Sequence, residues 1–218
     1  MFVRIVDQKA FEPLLFPCIF SLLIGYCAGS FPTAYLLLKQ KSNVDIRVAG
    51  SGNVGAMNAY EVTSSKLLGF AVFAIDALKG CLAVLFAMAL FGNDFTVLAT
   101  SGLAAIIGHD YPVWLKFKGG IGLSTTAGVM LVLGWAFVFV WCLIWTVSYL
   151  TSKHIHGSNI IASILSPVVI VSLPATVIAG TLPPFTGTTE VRVLVIIVCC
   201  LILLRHIRPV NQMLGKSL

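Results

Sequence analysis

Long apolar blocks separated by short polar clusters dominate this chain, and the blocks have the length of membrane-spanning helices, not of strands or surface helices. A spanning helix needs about 20 mostly apolar residues, because a rise of 1.5 Å per residue must cover about 30 Å of hydrocarbon. Clear blocks fall at roughly 14–38, 67–91, 158–180 and 190–206, each bounded by charge, Gly, Pro or Asn. Residues 96–115 form a further span. The stretch 123–150 is too long for one straight helix and short for two, and Gly134 divides it into a short helix and a full one at about 135–151. The pattern predicts an all-α integral membrane protein, a seven-span helical bundle. The longest polar stretch, about residues 39–66, is rich in Gly, Ser and Asn and predicts structured backbone at the membrane surface. No internal repeat, low-complexity tract or linker is visible, so residues 1–218 are expected to form a single domain.

Composition agrees with a bilayer setting. Hydrophobic residues make up 58% and charged residues 10%, with a mean hydropathy of +0.99. Soluble proteins carry about 25% charged residues, so an ordinary cytosolic domain is excluded. Fourteen Lys and Arg against eight Asp and Glu give a formal charge of +6, which reads as topology and contact with anionic lipid. No basic run with interleaved aromatics points to nucleic acid. With seven spans, one face gathers Lys39, Lys41, Arg47, Lys66, Lys116, Lys118, Lys153, Arg205, Arg208 and Lys216, while the other holds Arg4, Lys9 and Arg192. The positive-inside rule then puts the N-terminus outside and the C-terminus in the cytoplasm; six spans would scatter the asymmetry. Asp7 and Glu12 interrupt what would be a signal peptide, so the first apolar block is expected to stay as an anchor. Cys18, Cys27, Cys81, Cys142, Cys199 and Cys200 lie in apolar stretches without metal-ligand spacing and read as small core residues.

Two polar stretches carry chemistry, and both fall on the predicted cytoplasmic face. In residues 45–58, Arg47 and the glycines around Ser51, Gly52, Asn53 and Asn58 suit an anion, since glycines let successive N–H groups converge and arginine can pair bidentately with phosphate oxygens. A flexible connector with glycines for turns explains the same composition. In residues 108–125, Lys118, Gly119, Gly120 and Gly122 run into a helix N-terminus with Ser124 and Thr125, an arrangement that favours negative charge. It lacks Walker A spacing, and a basic anchor touching lipid phosphates is the simpler alternative. Asp76 and Lys79 lie at i, i+3 inside the second span and are expected to pair, in a supporting role that also takes in His109. His206, at the end of the last span, can serve as a base, a phosphate donor or only a cap. His154 and His156 lack the partners of a metal site. Gly29-Ser30-Phe31-Pro32 breaks the first span where cavities and helix interfaces occur.

In order, these stretches resemble the bacterial acyl-phosphate:glycerol-3-phosphate acyltransferases, small membrane enzymes of phospholipid synthesis. Gly29-Ser30-Phe31-Pro32 is similar to the family's GSxP element, and Asp45-Ile46-Arg47 with Gly50-Ser51-Gly52-Asn53-Val54-Gly55-Ala56 to its DxR and GSGNxGATN segment. Asp76 with Lys79-Gly80 resembles DxxKG. Gly108-His109, Pro112-Val113 and Phe117-Lys118-Gly119-Gly120 through Gly122 and Thr125 resemble GHxxPV and FKGGKGVAT, and Leu203-Leu204-Arg205-His206 the last motif. The resemblance implies seven spans in the bacterial inner membrane, a cytoplasm-facing site and no metal or organic cofactor. It implies acyl phosphate as donor, glycerol-3-phosphate as acceptor, membrane lipids as surroundings and lysophosphatidic acid as product. By it, Ser30, Arg47 and His206 are catalytic. Ser51, Gly52, Asn53, Asn58, Lys118, Gly119, Gly120, Gly122 and Thr125 bind substrate phosphate, and Asp76, Lys79 and His109 support them. The chain departs at Ile121, where the motif has lysine, at Met57 for Thr, at Pro209 for Asn with Asn211 nearby, and at Ala59-Tyr60-Glu61, where many relatives place an arginine.

The expected chemistry is direct transfer: an acceptor hydroxyl attacks an already activated carbonyl and phosphate leaves, so the protein positions reactants and stabilises developing charge. Either His206 or a substrate phosphate takes the proton. Acylation of a different polyol phosphate, a small membrane transporter and a non-catalytic lipid-binding protein are the rival readings.

Overall fold

A computed structural model describes residues 8–213, with side chains described from 14 to 207; among these residues every regular element is helical. The chain begins with α1 (Gln8–Gly29) and α2 (Thr33–Ser42), passes a 3₁₀ turn at Ile46–Val48, and continues through α3 (Ala56–Thr63), α4 (Lys66–Phe91) and α5 (Phe95–Asp110). A second 3₁₀ turn at Val113–Leu115 leads to α6 (Leu123–Leu133), α7 (Trp135–Ser152), α8 (Ile155–Ser172), the short α9 (Ala175–Ala179) and α10 (Thr188–Met213).

Among the described residues four runs are long and apolar enough to cross a bilayer: Leu14–Ser42, Lys66–Phe91, Trp135–Ser152 and Ile155–Ser172. Large apolar side chains such as Phe16, Phe70, Phe139 and Leu150 are exposed on these helices, as lipid-facing residues must be. The boundaries differ from those read in the sequence. The block 14–38 is two helices, because Pro32 has no N–H to continue the ladder and α1 ends at Gly29. The 96–115 block stops being α-helical at Asp110, two residues before Pro112. The 158–180 block starts at Ile155 and ends at Ser172, two residues before Pro174. Gly134 does divide α6 from α7, and α6, at 11 residues or about 17 Å, is too short to span alone. The cysteines also correct the reading: all six are unpaired, but only Cys199 is buried, while Cys27, Cys142 and Cys200 are exposed. The side chains of Pro209 and Asn211 lie outside the described residues, as do those of Arg4, Lys9, Arg208 and Lys216.

Helix starts are capped where the sequence allows it: Asp94 accepts from the N–H groups of Thr96 and Val97, and Ser65 from that of Leu68. Two close crossings then fix the frame. A Cβ at Gly29 would overlap the carbonyl of Ala105, so α1 and α5 touch backbone to backbone; a Cβ at Gly128 would overlap the carbonyl of Ala77, which does the same for α6 and α4. A core of Leu98, Ile106, Val129, Met130 and Leu194 joins α5, α6 and α10. A smaller cluster, with Leu38, Ile46, Val54 and Val72, lies beneath the polar stretch between α2 and α4. It anchors a loop at the end of the bundle, where the glycines gather.

Candidate active site

The first glycine loop, residues 43–55, is held from within. Ile46 is fully buried, and the following turn closes around one side chain, Asn58 at the start of α3. Its amide nitrogen donates toward the carbonyls of Ile46, Ala49 and Asn53 at 3.4, 3.0 and 2.9 Å, and its oxygen accepts from the Ser51 N–H at 3.0 Å. Asn58 therefore makes loop contacts with both ends of its amide. Asp45 caps the 3₁₀ turn and grips Arg47 through Nε at 2.9 Å and Nη2 at 2.6 Å, while the guanidinium lies over the Tyr35 ring, 5.0 Å from its centroid. These hydrogen bonds hold the Asp45 carboxyl at about 2 against an ordinary 3.8, and raise the Arg47 pKa in turn.

The second loop, residues 116–122, is held from outside. The Gly120 N–H donates to the His109 carbonyl at 3.1 Å. The Val54 N–H donates to the Gly119 carbonyl at 3.4 Å, joining the two glycine loops directly. Arg205, reaching back from α10, donates through Nε to the Gly120 carbonyl at 2.9 Å and through Nη2 to that of Gly119 at 3.2 Å, and stacks on Tyr111 at 4.7 Å. Gly119 has no room for a side chain, since a Cβ there would overlap the backbone carbonyls of His109 and Asp110. Gly122, at φ +81°, opens α6 in the left-handed region that favours glycine. Lys118 stands exposed at the rim.

Behind the loops lies a buried ionic group. Asp76 and Lys79 pair at 2.8 Å, as their i, i+3 spacing predicts, and His109 Nδ1 lies 3.7 Å from the same Asp76 oxygen. Lys79 also donates to the Phe31 carbonyl at 2.9 Å, satisfying an acceptor freed by the α1–α2 break. Ser30 is buried beside Gly108, and its hydroxyl has no partner among the described residues; neither does that of Thr125. His206 is buried on α10 with Nδ1 2.8 Å from the Ile202 carbonyl. A carbonyl only accepts, so Nδ1 carries the proton and, in the neutral ring, Nε2 keeps a lone pair without a partner among the described residues.

A cavity of about 470 Å³ opens beside the loops. Asn53, Asp76, His109 and Gly122 stand at its polar end, and Phe73, Phe137 and Trp141 contribute to its apolar wall. Ser30, Arg47, Lys118 and His206 do not line this cavity. Among the described residues no three His, Cys, Asp or Glu side chains cluster closely enough to hold a metal ion.

A family model described as glycerol-3-phosphate acyltransferase matches residues 19–216. The chain belongs to that family. Among its relatives, the glycerol-3-phosphate acyltransferase of Rhodopseudomonas palustris strain HaA2 is 40% identical over 148 residues, 68% of this chain and 74% of that one. The protein of the same name from Thermotoga petrophila is 33% identical over 195 residues, 89% of this chain and 92% of its own. The crystal structure of PlsY, an integral membrane glycerol 3-phosphate acyltransferase in its glycerol 3-phosphate form, superposes with a TM-score of 0.75 at 32% identity, covering 91% of this chain and 92% of that one. Its lysophosphatidic acid form gives 0.74. The structure of this acyltransferase chain also shows placements that the sequence reading did not anticipate. Arg205 entered there as a loop charge and as part of the last motif, and neither foretold its grip on two glycine carbonyls about 85 residues away in the chain. Asp110, fully enclosed beside Gly122, and Asn159 on α8 gave no signal at all.

Proposed function

We propose that this chain transfers a fatty acyl group from acyl phosphate to glycerol 3-phosphate, forming lysophosphatidic acid and inorganic phosphate. The observation that carries the reading is the Val54–Gly119 hydrogen bond, which brings two glycine loops together at the polar end of an otherwise apolar cavity. Such a junction suits two phosphate-bearing heads beside one greasy tail. Family membership and the likeness to PlsY in its glycerol 3-phosphate form support the same acceptor.

In this reading Arg47 and Lys118 supply positive charge, and Ser51, Gly52, Asn53, Gly119, Gly120, Gly122 and Thr125 furnish the phosphate cradle. Asn58 serves it by holding the loop, and Asp76, Lys79 and His109 form the floor. Ser30 contributes the unpartnered hydroxyl beside Gly108. The acceptor hydroxyl attacks the acyl carbonyl, the carbonyl–phosphate bond breaks, and the proton passes to a substrate phosphate or to Nε2 of His206. The whole chain is one domain crossing the bacterial inner membrane seven times, with the N-terminus outside and site and C-terminus cytoplasmic. Ten of fourteen basic residues on one face support that orientation.

Purified protein given a medium-chain acyl phosphate and radiolabelled glycerol 3-phosphate should yield labelled lysolipid and one phosphate per acyl group transferred. No labelled lysolipid, with turnover on another polyol phosphate, would reassign the acceptor; Ile121, an apolar residue lining the cavity, marks where that difference would arise. Neither product would end the proposal.

A further inference from the structure

The part of the cavity wall contributed by α7 and α8 carries an amide. Asn159 is 6% exposed, lies on α8 one turn past His156, and lines the cavity that Gly122 and Ser124 line from α6. Trp145 on α7 donates through Nε1 to Asn159 Oδ1 at 2.7 Å. An indole N–H only donates, so the atom it meets must be the amide oxygen, and the orientation of the whole amide is thereby set. The opposite end, Nδ2 with two hydrogens, makes no hydrogen bond among the described residues. Nδ2 is not among the enclosed side-chain atoms and so is open to the cavity, where an oxygen acceptor brought in by the ligand can reach it and meets few competing polar groups in the apolar slot.

At the boundary between phosphate cradle and apolar slot, acyl phosphate places its bridging oxygen and its carbonyl oxygen, and only the carbonyl oxygen gains charge when the carbon is attacked. We infer that Asn159 donates a hydrogen bond from Nδ2 to the acyl carbonyl oxygen, with Trp145 as the positioning residue that aims it. This deepens the proposed acyl transfer and rests on it. As the hydroxyl oxygen of glycerol 3-phosphate bonds to the carbonyl carbon, the C=O electron pair moves onto oxygen and the Asn159 hydrogen bond strengthens against that charge. The carbonyl re-forms as the carbon–oxygen bond to phosphate breaks; phosphate departs with the electron pair, and the hydroxyl proton ends on phosphate. A donor placed before charge develops needs no reorganisation at that moment.

The test is steady-state kinetics of the full-length protein in detergent, varying acyl phosphate and glycerol 3-phosphate separately. Asn159→Ala should lower kcat about 100-fold, within the range of a lost oxyanion donor, with both KM values within about twofold of wild type. Trp145→Phe keeps the packing and frees the amide to turn; it should lower kcat about tenfold with the same unchanged KM values. Wild-type transfer with Asn159→Ala kcat within threefold of it would overturn the inference and leave the function standing. A raised KM at constant kcat would do the same, since it marks uniform binding. A rise in the KM for glycerol 3-phosphate together with a lowered unfolding temperature in both variants would reduce the pair to scaffolding and also overturn it. A wild-type protein that transfers no acyl group would remove both readings.

Discussion

The two glycine loops reach one place by opposite means. Residues 43–55 close on themselves around a single amide, with Asn58 bonded to three carbonyls and one N–H inside the same turn. Residues 116–122 have no such centre: Lys116, Phe117 and Lys118 hang on the preceding 3₁₀ turn through the Val113, Pro112 and Leu115 carbonyls, and Gly119 and Gly120 are held by His109 at the end of α5, Val54 in the other loop and Arg205 on α10. A self-held loop keeps its form when its neighbours move. A loop held from outside transmits any displacement of α5 or α10 to its N–H groups, and its function depends on the packing of the whole bundle.

The largest effect should follow from forcing the second loop off its support. Gly119→Ala places a Cβ against the backbone carbonyls of His109 and Asp110, which have no rotamer through which to escape. The loop must shift, and a displacement of about 1 Å in a positioned phosphate cradle costs roughly 100-fold in rate. Acyl transfer assays should show that loss of kcat/KM, while the unfolding temperature falls only modestly. Full activity in this variant would mean the second loop does not position substrate.

Next comes the centre of the first loop. Asn58→Ala removes one side chain and leaves several backbone groups at a 1%-exposed position without partners, which should cost about 2 kcal/mol of stability, measured by thermal unfolding in detergent. Asn58→Asp keeps the acceptor for the Ser51 N–H but sets a carboxylate oxygen against the three carbonyls, so it should destabilise at least as much as alanine. If the alanine variant unfolds like wild type, the loop is not self-held and the contrast fails. A smaller change is expected at Arg205→Lys: one ammonium cannot replace a planar fork donating to two carbonyls, and kcat/KM should drop about tenfold with the first loop's stability untouched.

How much of this was legible in the sequence follows the same division. The first loop could be read as a unit because its glycines, Arg47 and Asn58 lie within 14 residues, and the Asp76–Lys79 pair because i, i+3 places both on one helix face. Gly134 announced the α6–α7 break, since glycine there ends one apolar run and starts another. Helix ends set by proline were drawn too long, because apolar composition continues past Pro32, Pro112 and Pro174 although the hydrogen-bond ladder cannot. Arg205 and Asn159 were out of reach: each acts through partners 85 or 14 residues away whose meeting is decided by helix packing. Ser30 was legible as a break and a hydroxyl, but not as a buried group next to Gly108, which only the tight α1–α5 crossing produces.

The smallest effect sharpens the contrast most. Asp45 and Arg47 sit half-exposed on the outer edge of the first loop, so if Asn58 holds that loop, the ion pair is trim and its removal should matter little. Exposed pairs contribute under about 1 kcal/mol, and Asp45→Asn should lower stability by no more than that. The pH dependence has a definite sign. Arg47 holds the Asp45 carboxyl at about 2, so its contribution is present in full above the ordinary value of 3.8 and is lost as pH falls through about 2. Between pH 5 and 8 the pair stays charged and should add no slope to either stability or KM. What Asp45 does provide is aim: it occupies Nε and one hydrogen of Nη2, leaving the rest of the guanidinium for phosphate. Releasing that grip should raise the KM for glycerol 3-phosphate about threefold at unchanged unfolding temperature. A loss above about 30-fold, or unfolding on the scale of Asn58→Ala, would show that the first loop also hangs on an outer strut, and the two loops would then be built alike.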